Sequence, residues 1–312
     1  MRICVIGAGA TGCLHGAHLA RAGHEVTLVD VRPEVVEAIN RNGVQVDGAG
    51  GEFRVRAAAT TADSAEGPVD AVFVHVDANS TVDAAQVAGR IADADGYALT
   101  LQNGIGNVEA LGEVLGPNRV LGGTSYNSVS SPGPGRVTHT NPGPTTIGEL
   151  DGSVTQRARS LGDVLEQAGF PTQVTDNVMG SIWSKFVHNC AFSPICAVAG
   201  MLGGEIAGNP AADTLQDRIV EELMAVVKAK GIALDEQDPV ATIKEVARTV
   251  FVKPSMLQHM EQGRRTEIEA FNGAAVREGR ALGIPMPYND ALALMVKARN
   301  VHEMSRREPR RE

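Results

Sequence analysis

The chain has 312 residues, 43% hydrophobic and 21% charged. That is length and apolar content for about two domains, and it excludes wholesale disorder, a fibrous repeat and a bundle of membrane helices. With 28 Lys and Arg against 37 Asp and Glu, the net charge is -9 and aromatics make up 4%, so nucleic acid is excluded as the main partner.

The first half alternates short β-branched runs with helical stretches, the pattern of a parallel sheet covered on both faces. ICVIG is a first strand, followed by a helix from Thr11 to Arg21, the strand EVTLVD at 25–30 and a helix ending near Gly43. GVQVDG and FRVRAA read as a local strand pair, DAVFVHV at 70–76 as a core strand, and Ser80 to Ala94 as its crossover helix. YALTLQ at 97–102 is a further buried strand that ends at Asn103 and Gly104, before a helix starting near Asn107. From Val120 to Leu150, Gly, Pro, Ser and Thr dominate, which predicts antiparallel edge additions; a helix from Val154 to Ala168 and the strand PTQVTD close this half. The domain boundary falls after Asp176, giving 1–176 and 177–312. Beyond it apolar residues recur three and four apart, as in Leu215, Ile219, Leu223, Val226 and Val227, so the second half is helical. Pro194, Pro210, Pro239, Pro254, Pro285 and Pro287 mark its helix starts or bends.

Cys4, Cys13, Cys190 and Cys196 form no CxxC pair and read as reduced core residues of a cytoplasmic protein. MRICVIGAGATG enters a glycine turn directly, so neither a signal peptide nor a membrane anchor is expected. Arg306, Arg307, Arg310 and Arg311, diluted by Glu308 and Glu312, read as a solvated terminus. No histidine spacing suggests a metal site.

Gly7, Ala8, Gly9, Ala10, Thr11 and Gly12 form G-x-G-x-x-G between a strand and a helix. Gly7 permits the tight turn, Gly9 lets backbone approach a pyrophosphate, and Gly12 lets the helix pack on the sheet with its N-terminus facing the anion. Asp30 ends the second strand, placed to accept from the ribose diol of NAD(H) and to repel the 2'-phosphate of NADP(H). NAD(H) is therefore the preferred cofactor, with NADP(H) possible because Arg32 follows two residues on.

GAGATG at 7–12, LQNGIGN at 101–107, WSKFVHNCAFSPICA at 183–197 and PSMLQHMEQGRRTEIEAFNG at 254–273, in that order, resemble the ketopantoate reductase (2-dehydropantoate 2-reductase) family. The resemblance implies an α/β Rossmann-like N-terminal domain joined to an all-helical C-terminal domain, with a small 2-oxo acid reduced to a 2-hydroxy acid in the cleft and a homodimer as the assembly. It further implies that Lys185 is the general acid and that Glu267 bonds substrate and the lysine side of the site. Ser255 then falls on the residue for the substrate carboxylate, and Asn103 on the one that orients nicotinamide and substrate. Asn189, four residues beyond Lys185, shares its helix face. Glu269 follows Glu267 by two, so on a helix it points elsewhere, as a solvated partner.

The chain departs from the family pattern at three positions. Ser193, a substrate-binding candidate, and Val252 stand where asparagines are expected, which thins the polar grip and admits a more apolar 2-oxo acid. Asp77 replaces a lysine near the cofactor and, with Asp30, disfavours a 2'-phosphate. Two alternatives accompany the ketopantoate reading: an NAD-dependent dehydrogenase of an apolar or aromatic 2-hydroxy acid, and a dinucleotide-binding protein without catalysis.

Overall fold

A computed structural model describes residues 1–306. Arg307, Glu308, Arg310, Arg311 and Glu312 of the basic tail lie outside the described residues. The chain divides into two compact units, one of Met1–Gln102 and Gly106–Met179, the other of Asn103–Ile105 and the chain from Gly180 onward.

In the first unit β1 (Arg2–Ile6) is followed by α1 (Ala10–Arg21), β2 (Glu25–Val29), α2 (Pro33–Asn42), β3 (Val44–Gly48), β4 (Phe53–Val55) and β5 (Ala58–Thr60). Next come β6 (Val69–Val74), α3 (Thr81–Ile91), β7 (Ala92–Thr100), α4 (Asn107–Leu115) and β8 (Val120–Ser125). β9 (Ser128–Gly133), β10 (Arg136–Asn141), β11 (Thr145–Glu149), α5 (Gln156–Gln167) and β12 (Thr172–Val174) complete the unit. Eight strands form one sheet in the order β12-β11-β8-β7-β6-β1-β2-β5, parallel except where β11 meets β8. The central strands are buried on both faces, which is why they read as unbroken apolar runs. A second, four-stranded sheet has the order β4-β3-β10-β9.

Three readings of this half need correction. FRVRAA divides: β4 pairs antiparallel with β3 as expected, but β5 joins the large sheet parallel to β2. The crossover helix α3 stops at Ile91 and Ala92–Asp95 already belongs to β7. β8 is no edge addition: every residue of VLGGTS is buried, and the strand runs parallel to β7. Its glycines look like turn residues but serve packing, since a Cβ on Gly123 would lie 2.3 Å from the Thr146 carbonyl oxygen and 2.7 Å from Leu101.

The second unit holds α7 (Pro210–Lys230), α8 (Pro239–Thr249), α9 (Ser255–Glu261), α10 (Asn272–Ala281), α11 (Pro287–Ser305) and most of α6 (Val178–Ala199). Proline occupies the first turn of α7, α8 and α11, where its missing N–H costs no helix bond. Pro194 lies inside α6 and cannot donate to the Cys190 carbonyl; that oxygen instead accepts from Asn272 Nδ2 at 3.3 Å. The four cysteines are buried and unpaired with one another, and burial pushes the thiols of Cys4, Cys13 and Cys196 up to about 12. Among the described residues no helix is long and apolar enough to cross a membrane.

The first unit's core includes a fully buried imidazole. His15 of α1 stacks between His75, 4.6 Å away, and Phe170, 4.4 Å away, and bonds the Thr11 carbonyl through Nδ1 at 3.0 Å. Burial lowers His15 to about 4 and His75 well below the ordinary histidine value. The unfolded chain therefore takes up protons near pH 6.5 that the folded chain refuses, so stability is full above that pH and is lost as pH falls toward 4. For His15 alone the loss approaches about 3 kcal/mol. Thermal melts between pH 7 and 4 should show a falling Tm, with a flatter dependence in His15→Phe; an equally steep fall in the variant would assign the acid sensitivity elsewhere.

Candidate functional site

The glycine turn is fixed by backbone packed on backbone. Gly7 has φ +101°, donates its N–H to the Val29 carbonyl at 2.8 Å, and a Cβ there would lie 2.7 Å from the His75 carbonyl carbon. A Cβ on Gly12 would lie 1.9 Å from the Gly7 oxygen. Gly9 differs: its φ is -76° and a Cβ would meet no atom within 4 Å. Nothing within the protein demands glycine there, whereas close approach of a ligand to the backbone does. Gly9 caps α1 without a side chain, and no acidic residue lies in the helix's first turn, so Ala10, Thr11 and Gly12 begin a helix whose positive end is uncompensated. Ala8 is buried beneath the turn. A dinucleotide pyrophosphate fits this cradle.

Asp30 follows β2 and is 7% exposed. Its carboxylate accepts from Arg32 three times, from the backbone N–H at 3.0 Å, Nε at 2.9 Å and Nη2 at 3.2 Å. Arg32, the residue that left NADP(H) possible, is thus tethered to the acid beside it. Asp77 is exposed and accepts from the Asn79 N–H at 3.0 Å, capping the 3-10 turn Ala78–Ser80. Sequence reasoning gave no role to Gln102, although it lies inside LQNGIGN. Its Nε2 donates to the Val76 carbonyl at 2.8 Å and to Thr81 Oγ1 at 2.9 Å, and Thr81 Oγ1 donates to Asn107 Oδ1 at 2.8 Å. This network braces the carboxyl ends of β6 and β7, the end of a parallel sheet at which ligands bind.

In the second unit Lys185, Asn189 and Ser193 succeed one another at four-residue spacing along α6 and share one face. Ser193 is buried, while Lys185 and Asn189 keep partial exposure. Burial lowers the Lys185 ammonium to about 8, against the opposing pull of the Glu267 carboxylate. Glu267 precedes the 3-10 turn Ile268–Ala270 and accepts the Ala270 N–H on its carbonyl at 2.9 Å, so the expected helix around TEIE is a single tight turn. Glu269 is held separately, by Lys297 at 2.6 Å and Arg277 at 3.2 Å, and the hydrogen bond from Lys297 chiefly lowers its pKa.

Asn103, Gly104 and Ile105 belong to this unit, although flanked in sequence by the other. Gly104 has φ +88°, a Cβ on it would lie 2.6 Å from the Ala270 oxygen, and the Ile105 N–H donates to that oxygen at 3.4 Å. The Asn103 turn is therefore seated on the turn that follows Glu267. Ser255 is the first residue of α9 and is exposed, with Pro254 at the cap position before it. Val252 is 57% exposed, and its carbonyl accepts from the Gly203 N–H at 3.1 Å. His188 lies with Nε2 3.3 Å from Glu236. Among the described residues no group of three His, Cys, Asp or Glu side chains is arranged to hold a metal ion.

Residues 3–152 match the family model described as ketopantoate reductase PanE/ApbA, and residues 177–300 match that described as ketopantoate reductase PanE/ApbA C terminal. The chain is 33% identical over 298 residues to the 2-dehydropantoate 2-reductase of Archaeoglobus fulgidus, covering 95% of this chain and 97% of that protein. Among solved structures it is similar to D-mandelate dehydrogenase in a ternary structure with NADH and anilino(oxo)acetate, with TM-score 0.90 and 27% identity over 97% of this chain and 99% of that one. A PanE/ApbA family ketopantoate reductase from Ralstonia eutropha JMP134 gives TM-score 0.89 and 32% identity, again over 97% and 99%.

The three glycines separate folding from ligand approach. Gly12→Ala should lower Tm sharply because backbone must move, whereas Gly9→Ala should melt like the parent yet lose at least about tenfold in dinucleotide affinity. Melting curves and calorimetric titration with NADH and NADPH check both; unaltered affinity in Gly9→Ala would refute the cradle.

Proposed function

Because the chain belongs to the ketopantoate reductase PanE/ApbA family, we propose that it reduces a 2-oxo acid to the 2-hydroxy acid with a nicotinamide dinucleotide, converting 2-dehydropantoate to pantoate. Residues 1–176 hold the dinucleotide and 177–312 hold the acid and a second copy of the chain. The observation that carries this reading is Lys185, an ammonium made more acidic by burial and kept beside one carboxylate. Bound at the glycine turn, a reduced nicotinamide supplies the hydride that the ketone carbon accepts.

Lys185 hydrogen-bonds the ketone oxygen, favours the charge that develops there, and delivers its proton as that oxygen becomes a hydroxyl. A proton donor near pH 8 is matched to neutral solution far better than an ordinary lysine. Glu267 holds the ammonium in place and raises its proton affinity against desolvation. Asn189 lies one turn along the same face to orient the acid, Ser193 lies one turn further, Ser255 takes the substrate carboxylate and Asn103 orients the reacting carbonyl. Gly7, Ala8, Gly9, Ala10, Thr11 and Gly12 bind the pyrophosphate, and Asp30 selects NAD(H). Turning Arg32 toward a 2'-phosphate would break two side-chain bonds to Asp30, so its tether supports the same preference.

A second reading, oxidation of an aromatic or apolar 2-hydroxy acid by NAD, is favoured by one local feature: exposed Val252 offers no amide to a substrate hydroxyl.

Steady-state assays of 2-dehydropantoate against apolar and aromatic 2-oxo acids, each with NADH and NADPH, test both. Lys185→Ala should cost about 10²- to 10⁴-fold in kcat with dinucleotide affinity unchanged. Since the donor must be protonated, kcat for reduction should fall as pH rises through about 8. Asp30→Ala should raise the NADPH to NADH ratio of kcat/KM at least about tenfold. Turnover undiminished in Lys185→Ala would refute the proton-donor assignment.

A further inference from the structure

The segment that carries Glu267 lies between α9 and the turn Ile268–Ala270, outside any helix, and so depends on other groups for its backbone hydrogen bonds. One buried amide supplies two of them. Asn300 of α11, 6% exposed, accepts the Thr266 N–H on Oδ1 at 2.9 Å and donates from Nδ2 to the Arg264 carbonyl at 2.7 Å. Thr266 directly precedes Glu267. On the same stretch of α11, Lys297 reaches Glu269 at 2.6 Å, and Arg299 Nη1 donates to the Ala197 and Val198 carbonyls at 2.6 and 2.7 Å. Those carbonyls end the helix on which Lys185 sits.

We propose that Asn300 is a positioning residue, which holds Glu267 at the Lys185 ammonium by pinning the backbone on its N-terminal side. The inference rests on the reading of Lys185 and Glu267 as the reacting pair. A carboxylate that offsets the desolvation of an ammonium must keep its distance, and a loop without a ladder keeps none unaided. An amide suits the task because it both donates and accepts while adding no charge beside the pair. Of the charged groups on the surrounding elements, α6 presents Lys185 and His188, the latter facing Glu236. Arg277 of α10 and Lys297 of α11 are engaged by Glu269, and Arg264 and Arg265, just before Glu267, are exposed.

The test compares the alkaline limb of kcat, KM for the 2-oxo acid and Tm in the parent, Glu267→Gln, Asn300→Ala and the double variant. Glu267→Gln should move the limb downward from about 8, because the carboxylate that raises the lysine is gone. Asn300→Ala should move it the same way and lower kcat at least about tenfold while KM changes less, and should add little in the Glu267→Gln background. A lower Tm in Asn300→Ala with the limb and kcat of the parent overturns the inference and leaves Asn300 a fold residue only. If Asn300→Ala does not fold, Asn300→Gln, neutral and with its amide displaced by one methylene, carries the same comparison. A limb unmoved in Glu267→Gln removes the reading of the pair, and the inference with it.

Discussion

An ammonium withdrawn from water loses its proton unless a carboxylate is kept near, and at Lys185 the second unit meets that requirement with Glu267. Each partner stands on a different element: the lysine on a 22-residue helix, Glu267 ahead of a single 3-10 turn. Buried amides knit the helices of the same unit together. Asn272 joins the start of α10 to α6 at the carbonyl that Pro194 leaves unmatched, and also donates to Asn289 Oδ1 at 2.9 Å. Asn289 in turn donates to Glu222 at 2.7 Å and to the Ile219 carbonyl at 3.2 Å. Four helices, α6, α7, α10 and α11, are thereby related through neutral amides, with the charge of Glu222 confined to one end.

The first unit meets a different constraint. Its glycine turn places no charge near the expected pyrophosphate, relying on bare backbone and a helix end. Charge enters at Asp30, and Arg32 already occupies that carboxylate from one side. The proposed preference for NAD(H) therefore rests on a carboxylate and a restrained cation together, a subtler arrangement than a lone acid at a strand end.

Where local pattern decides structure, the sequence was readable: the glycine turn, the alternation of β1, α1, β2 and α2, the core strand β6, and the prolines at the starts of α7, α8 and α11 all follow from short-range rules. β8 was misread because glycine serves close packing as well as turns, and only the neighbours at Thr146 and Leu101 distinguish the two. The allocation of Asn103–Ile105 to the helical unit depends on Ala270, far along the chain, so no local pattern announces it. The same holds for Asn300 and Thr266, and for Asn272 and Cys190. The helix argument that set Glu269 apart from Glu267 began from the wrong element; what separates them is that Lys297 and Arg277 engage Glu269.

The order of strands has a consequence for the chain as it leaves the ribosome. Counting outward from β1, one side of the large sheet runs β6, β7, β8, β11, β12 and the other β2, β5, both in order of synthesis. In the smaller sheet, β3 and β4 come first, and β10 later lays the hairpin of β9 and β10 along the free side of β3. Each newly made strand of the large sheet can dock on an edge that is already present, β9 waits only for its hairpin partner β10, and no strand has to part a pair formed earlier. A nascent chain can therefore build the nucleotide-binding unit by accretion, sparing it the reopening step that a strand inserted late into the middle of a sheet would impose.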